Sequence, residues 1–120
     1  MAHRSDSTVQ LEAEAIIRTL VEAQLGRLLL PATVTLDSGA PVQVDGVAPD
    51  ESAFVEIFAH LGKLKGGQQR KVASDALKLI TLGRSRPHAK LHLAFTDDEA
   101  AGYALGSAWF AQAIATWNLT

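Results

Sequence analysis

The 120-residue chain contains no cysteine, which excludes disulfides, thiolate-bound zinc, iron–sulfur clusters and a cysteine nucleophile. Long apolar runs are missing too. Leu28-Leu29-Leu30 stops at Pro31, and no stretch approaches the roughly 20 residues that a membrane helix needs. The opening Met-Ala-His-Arg-Ser-Asp lacks the apolar core of a secretory signal, so a cytoplasmic location is expected. No internal repeat, linker or low-complexity tract interrupts the chain, and residues 1–120 read as one domain. Apolar residues make up 48% and charged residues 20%, the balance of a globular protein able to bury a single core.

What is present is unevenly charged. Between His60 and Lys90, eight basic residues stand against the single acid Asp75, a local charge of +7. The rest of the chain holds three basic and twelve acidic residues, which returns the net charge to −2. A basic segment in a mildly acidic chain is the footprint of a phosphate-backbone binder. Lys63, Lys65, Arg70, Lys71, Arg84 and Arg86 are the candidate nucleic-acid contacts, and a solvated face is the plainer alternative.

Apolar spacing sets out the elements. Val9, Ala13, Ile16, Ile17, Leu20, Val21 and Leu25 predict a helix over 8–25, capped by Ser7 with Gln10 and ended by Gly26. Short strands follow over 33–36, 42–47 and 53–60, separated by turn-rich segments at 37–41 and 48–52. The period changes to 3.6 from Gly67 to Leu82, and Gly83 is expected to end that helix. A fourth strand over 90–95, reached through a helical crossover, is expected to run parallel to its neighbour. Thr96-Asp97-Asp98-Glu99 reads as another capping box, opening a last helix over 97–117. The expected fold is α+β, with a mixed four-stranded sheet in α-β-β-β-α-β-α order.

Two acids stand out on adjacent strands. Alternation puts Val42 and Val44 on one face of the second strand, with Gln43 and Asp45 on the other. In the third strand Val55, Ile57 and Ala59 share one face, and Phe54, Glu56, Phe58 and His60 share the other. Glu56 between apolar neighbours costs several kcal/mol of desolvation unless something pairs with it. Asp45 and Glu56 could share a divalent cation as oxygen ligands, or Glu56 could simply pair with a lysine.

This order of elements, with Asp on the second strand and Glu inside the third, resembles the PD-(D/E)XK nuclease superfamily, the restriction-endonuclease-like fold. The resemblance covers about residues 8–96 and rests mainly on topology. It implies a magnesium site at Asp45 and Glu56, and a lysine two residues after the glutamate that positions or activates the attacking water. Here that position is Phe58, and the strand carries no lysine. Some members supply the lysine from the next helix, so the resemblance makes Lys65 or Lys71 a catalytic candidate beside Asp45 and Glu56. On a helical wheel Gln69 falls inward with Val72, Ala73 and Ala76, whereas Lys71, Asp75 and Lys78 are expected as a solvated stripe on the opposite side.

Other constellations are weaker. His60, His88 and His92 lack zinc-site spacing, and Gly66-Gly67 lacks the pattern of a P-loop. Ser85 and Ser107 have no nucleophile-elbow context. The last helix is apolar nearly all round, with Gly102 and Gly106 allowing close approach. Such a helix is buried by something, either the chain's own core or a second copy in a homodimer. Two functions follow: a magnesium-dependent nuclease-like domain acting on DNA, or a catalytically inactive nucleic-acid-binding or protein-assembly module on the same fold.

Overall fold

The computed structural model describes residues 6–59, 66–95, 101–102 and 109–116. The elements run in the order α1 (Asp6–Leu25), β1 (Leu30–Thr35), β2 (Pro41–Val47), β3 (Ala53–Phe58), α2 (Gly66–Ser85), β4 (Lys90–Phe95) and α3 (Trp109–Thr116). They form an α+β fold around one four-stranded mixed sheet of order β1-β2-β3-β4. β1, β2 and β3 are an antiparallel meander, and β4 lies parallel to β3 after the α2 crossover.

Local chemistry explains the punctuation. Gly26 adopts φ 67° after α1, and its N–H and that of Arg27 both donate to the Glu22 carbonyl. Glycine takes this left-handed geometry without the steric cost of a Cβ. The Glu22 carboxylate then accepts the Leu29 N–H at 2.7 Å, which holds the entry to β1. β1 begins at Leu30, three residues before the expected start, and includes Pro31. A proline is tolerated there because β1 is an edge strand.

The sheet is covered on both faces. One core layer joins Val34, Val44, Val47, Phe54 and Phe58 to Val72, Ala76, Leu79 and Leu82 of α2, and to Phe110 and Ile114 of α3. The other joins Leu29, Ala48, Val55 and Ile57 to Ile17, Val21 and Leu25 of α1. β3 is an inner strand, buried along its whole length. Its faces divide as alternation predicts: Val55 and Ile57 towards α1, Phe54 and Phe58 towards α2.

Three expectations need correction. Gly83 does not end α2, which continues to Ser85. A Cβ at Gly83 would come within 2.8 Å of the Leu91 side chain, so the glycine permits close packing of α2 on β4.

Alternation also fails in β2. Ala32 pairs with Val44 but Leu30 pairs with Val47, so Pro31 of β1 alone opposes Asp45 and Gly46 of β2. The extra residue is a β-bulge at Asp45–Gly46, which returns Val47 to the face already occupied by Val44. Gly46 fits because a Cβ there would lie 3.3 Å from Leu29 Cβ.

The stripe of Lys71, Asp75 and Lys78 is not opposite the core. Asp75 is buried, and Lys78 reaches inward to β3. The expected dimer helix is described only in part. Phe110, Ala111 and Ile114 pack inward, Trp109 is 73% exposed, and Trp117 and the 96–99 capping box lie outside the described residues.

Candidate functional site

The site lies where β2 and β3 part. Their ladder pairs Gly46 with Val55 and Val47 with Phe54. One step further Asp45 and Glu56 stand opposite each other, and side chains take over the backbone bonding. The Ile57 N–H donates to Asp45 Oδ2 at 2.8 Å, and the Asp45 N–H donates to Glu56 Oε1 at 3.3 Å. The bulge therefore turns the Asp45 carboxylate across to β3 while its own amide engages the neighbouring carboxylate. The two acids expected from sequence are thus brought together.

Glu56 is only 2% exposed. Its other oxygen, Oε2, accepts from Lys78 Nζ at 3.2 Å. Lys78 Nζ also lies 4.0 Å from Asp75 Oδ1, and Lys71 Nζ lies 3.3 Å from Asp75 Oδ2. Burial, then the charges of Asp45 and Asp75, push the Glu56 carboxyl up to about 8, against the opposing pull of Lys78. Burial also raises Asp75, although Lys71 and Lys78 oppose it. On the α1 side Glu14 is raised by partial burial and by Asp45, with Lys71 and Arg18 acting in the other direction. Holding a proton on Glu56 up to about pH 8 relieves much of the repulsion among these acids.

Asp45 and Glu56 offer hard oxygen donors, and magnesium is commonly held by one or two carboxylates together with water and phosphate oxygens. Among the described residues, no group of three carboxylates or histidines is arranged to hold a metal. Asp45 and Glu56 would supply two protein oxygens to such an ion, with Glu56 Oε1 already accepting from the Asp45 amide and Oε2 from Lys78.

The remaining candidates are dispersed. Lys63 and Lys65 lie outside the described residues, as does His60. Lys71 sits at the edge of the cluster, half-exposed and paired with Asp75. Arg70 and Arg84 are exposed on α2. Arg86 is engaged internally: it donates to the Thr35 carbonyl and to Ser85 Oγ, and pairs with Glu51 at 3.5 Å. Phe58, at the position where the resemblance implies a lysine, is buried with its ring 6.3 Å from that of Phe95. His92 is half-buried and lowered by burial and by Lys90, and His88 is exposed.

Sequence reasoning missed Lys78. Its signal was the spacing of Asp75, three residues after Val72 and four before Leu79, which on a 3.6-residue turn puts it beside the core stripe. Lys78 follows on the same flank. Comparison of the chain with known protein families, characterised proteins and solved structures finds no match.

Proposed function

We propose that the chain is a metal-dependent nuclease-like domain of the PD-(D/E)XK kind, with its lysine supplied by α2 as Lys78. The observation that carries this reading is the 3.2 Å contact between Lys78 Nζ and Glu56 Oε2, opposite an Asp45 whose carboxylate accepts from the Ile57 N–H. Lys65 and Lys71 were the sequence candidates for this role. Lys71 is held by Asp75, whereas Lys78 touches the proposed ligand itself.

In this reading Asp45 and Glu56 would hold magnesium. When bound, the metal polarises the scissile phosphate and lowers the pKa of the attacking water. Lys78 holds Glu56 in position and places a positive charge beside the point where charge develops in the transition state. Asp75 keeps that ammonium oriented from the far side. A water oxygen would bond to phosphorus and give its proton to solvent as the bond to the leaving sugar oxygen breaks, and that oxygen takes up a proton from solvent. Arg70, Lys71 and Arg84 provide exposed charge for the phosphate backbone.

A second reading, a binding module without catalysis, is favoured by one observation: Glu56 Oε2 is already occupied by the Lys78 ion pair. A cleavage assay with manganese separates the two. Parent protein should cleave DNA, and Asp45→Asn and Lys78→Met should each lower the rate by about 10²–10³, the usual cost of removing one electrostatic element. Calorimetry should find that Asp45→Asn, but not Lys78→Met, abolishes metal binding. An inactive parent that still binds DNA supports the module, and a parent without metal binding overturns the nuclease reading.

A further inference from the structure

The outward side of α2 carries a straight row of exposed residues: Arg70, Ser74, Leu77, Thr81 and Arg84. On a helix of 3.6 residues per turn all five fall in one narrow stripe, opposite Val72 and Leu79 in the core. We infer that this stripe is a docking surface for double-stranded nucleic acid, held by its phosphates with Arg70 and Arg84 at the two ends. The inference rests on the nucleic-acid half of the proposed function and adds the form of the partner and where it lies.

Charge is the first support. The only acid of α2 is Asp75, which is buried and paired with Lys71 and Lys78. The stripe therefore presents two positive charges and no negative one. Arg70 and Arg84 form no ion pair among the described residues, whereas Arg27 and Arg86 are engaged by Asp50 and Glu51. An unpaired guanidinium keeps its planar fork of donors for phosphate oxygens, which it matches in a bidentate manner.

The residues between the arginines decide the kind of polyanion. A protein groove that receives a helix needs apolar anchors about one and two turns apart. Here Leu77 stands alone, with Ser74 one turn before it and Thr81 one turn after. Serine, threonine and arginine are instead residues that contact phosphate and sugar. Length favours a duplex over a single strand. Arg70 and Arg84 lie about 21 Å apart along the helix axis, a fixed span that covers about six base pairs of a partner that is itself stiff. A single strand is gripped mainly by bases stacked on aromatic rings, and the stripe has none.

The helix, about 10–12 Å across, stands between the stripe and Glu56, which Lys78 reaches from the flank. Docking on this side therefore needs neither a metal nor the carboxylate pair. It retains a duplex and is indifferent to its sequence.

The test is fluorescence anisotropy with a short labelled duplex, with chelator present throughout. The parent should bind the duplex more tightly than either of its single strands, and affinity should fall at least about sevenfold when salt is tripled, the counterion release of two phosphate contacts. Arg70→Ala/Arg84→Ala should reduce the salt slope by about two. Arg18→Ala removes a charge from α1, on the other face of the sheet, and should leave duplex binding unchanged. Both stripe arginines are exposed, and matching circular dichroism melts establish that the variants fold. Undiminished duplex binding by the double variant, equal affinity for a single strand, or equal competition by polyglutamate overturns the inference. Calorimetric titration of the parent with manganese reports separately on the nuclease reading. If manganese does not bind but the duplex still depends on the two arginines, the docking surface stands and the cleavage chemistry falls.

Discussion

Replacing Glu56 by glutamine isolates the electrostatic cost of the site. The side chain keeps its shape, but it can no longer ionise. In the parent without divalent metal, Glu56 moves from an ordinary 4.5 to about 8 on folding. Between those values the native state holds one proton more than the unfolded chain. The sign follows directly: unfolding releases that proton, so stability falls as pH rises from about 4.5, and the loss is complete only above about 8. Each pH unit in that window costs about 1.4 kcal/mol. From pH 5 to pH 7.5 the parent should therefore lose on the order of 3 kcal/mol more than Glu56→Gln. Urea denaturation of both proteins at several pH values, with chelator present, measures the difference. Magnesium should restore much of the parent's loss at pH 7.5 and do nothing for Glu56→Gln. Parallel stability profiles for the two proteins would refute the argument, because Glu56 would then titrate like an exposed carboxylate.

Metal affinity should show the same proton from the other side, weakening about tenfold per pH unit below 8 as the cation competes with protonation of Glu56; calorimetry in buffers of different ionisation enthalpy counts the proton released. Gly83→Ala should destabilise by about 1–3 kcal/mol, since the new methyl meets Leu91 within 2.8 Å and either α2 or β4 must shift; chemical denaturation measures it. Phe58→Lys, which would place a lysine two residues after Glu56 as in the PD-(D/E)XK pattern, should lower stability by several kcal/mol without raising cleavage, because it buries an ammonium beside Phe95. Far-ultraviolet melts and the manganese assay check both halves of that expectation.

Much of the architecture was legible because periodicity reports burial. The 3.6-residue spacing of Val72, Ala76 and Leu79 and the alternation of Phe54, Glu56 and Phe58 each encode which side meets the core. The paired acids were legible for the same reason, since a carboxylate inside an apolar strand requires a partner. The bulge was not. One extra residue at Asp45–Gly46 has no periodic signature, and Gly46 was its only local trace. Lys78 was hidden by treating a helix as two halves. Leu77, which is 64% exposed, marks the true outer side of α2, while Asp75 and Lys78 occupy the flank between it and the core. Gly83 misled because a glycine near a helix end usually marks the stop, and only the tertiary approach of Leu91 explains why the helix runs past it.

Pro31 lies on edge strand β1 and lines a cleft beside Asp45. A proline has no N–H to offer an incoming strand, so the rim of the sheet at this point resists zipping onto another chain. Edge-to-edge association, the ordinary route from an open sheet to a stacked aggregate, would run along β1 and close the cleft in doing so. Pro31→Val should therefore make the protein more prone to self-associate through its β1 edge and to close the cleft beside Asp45.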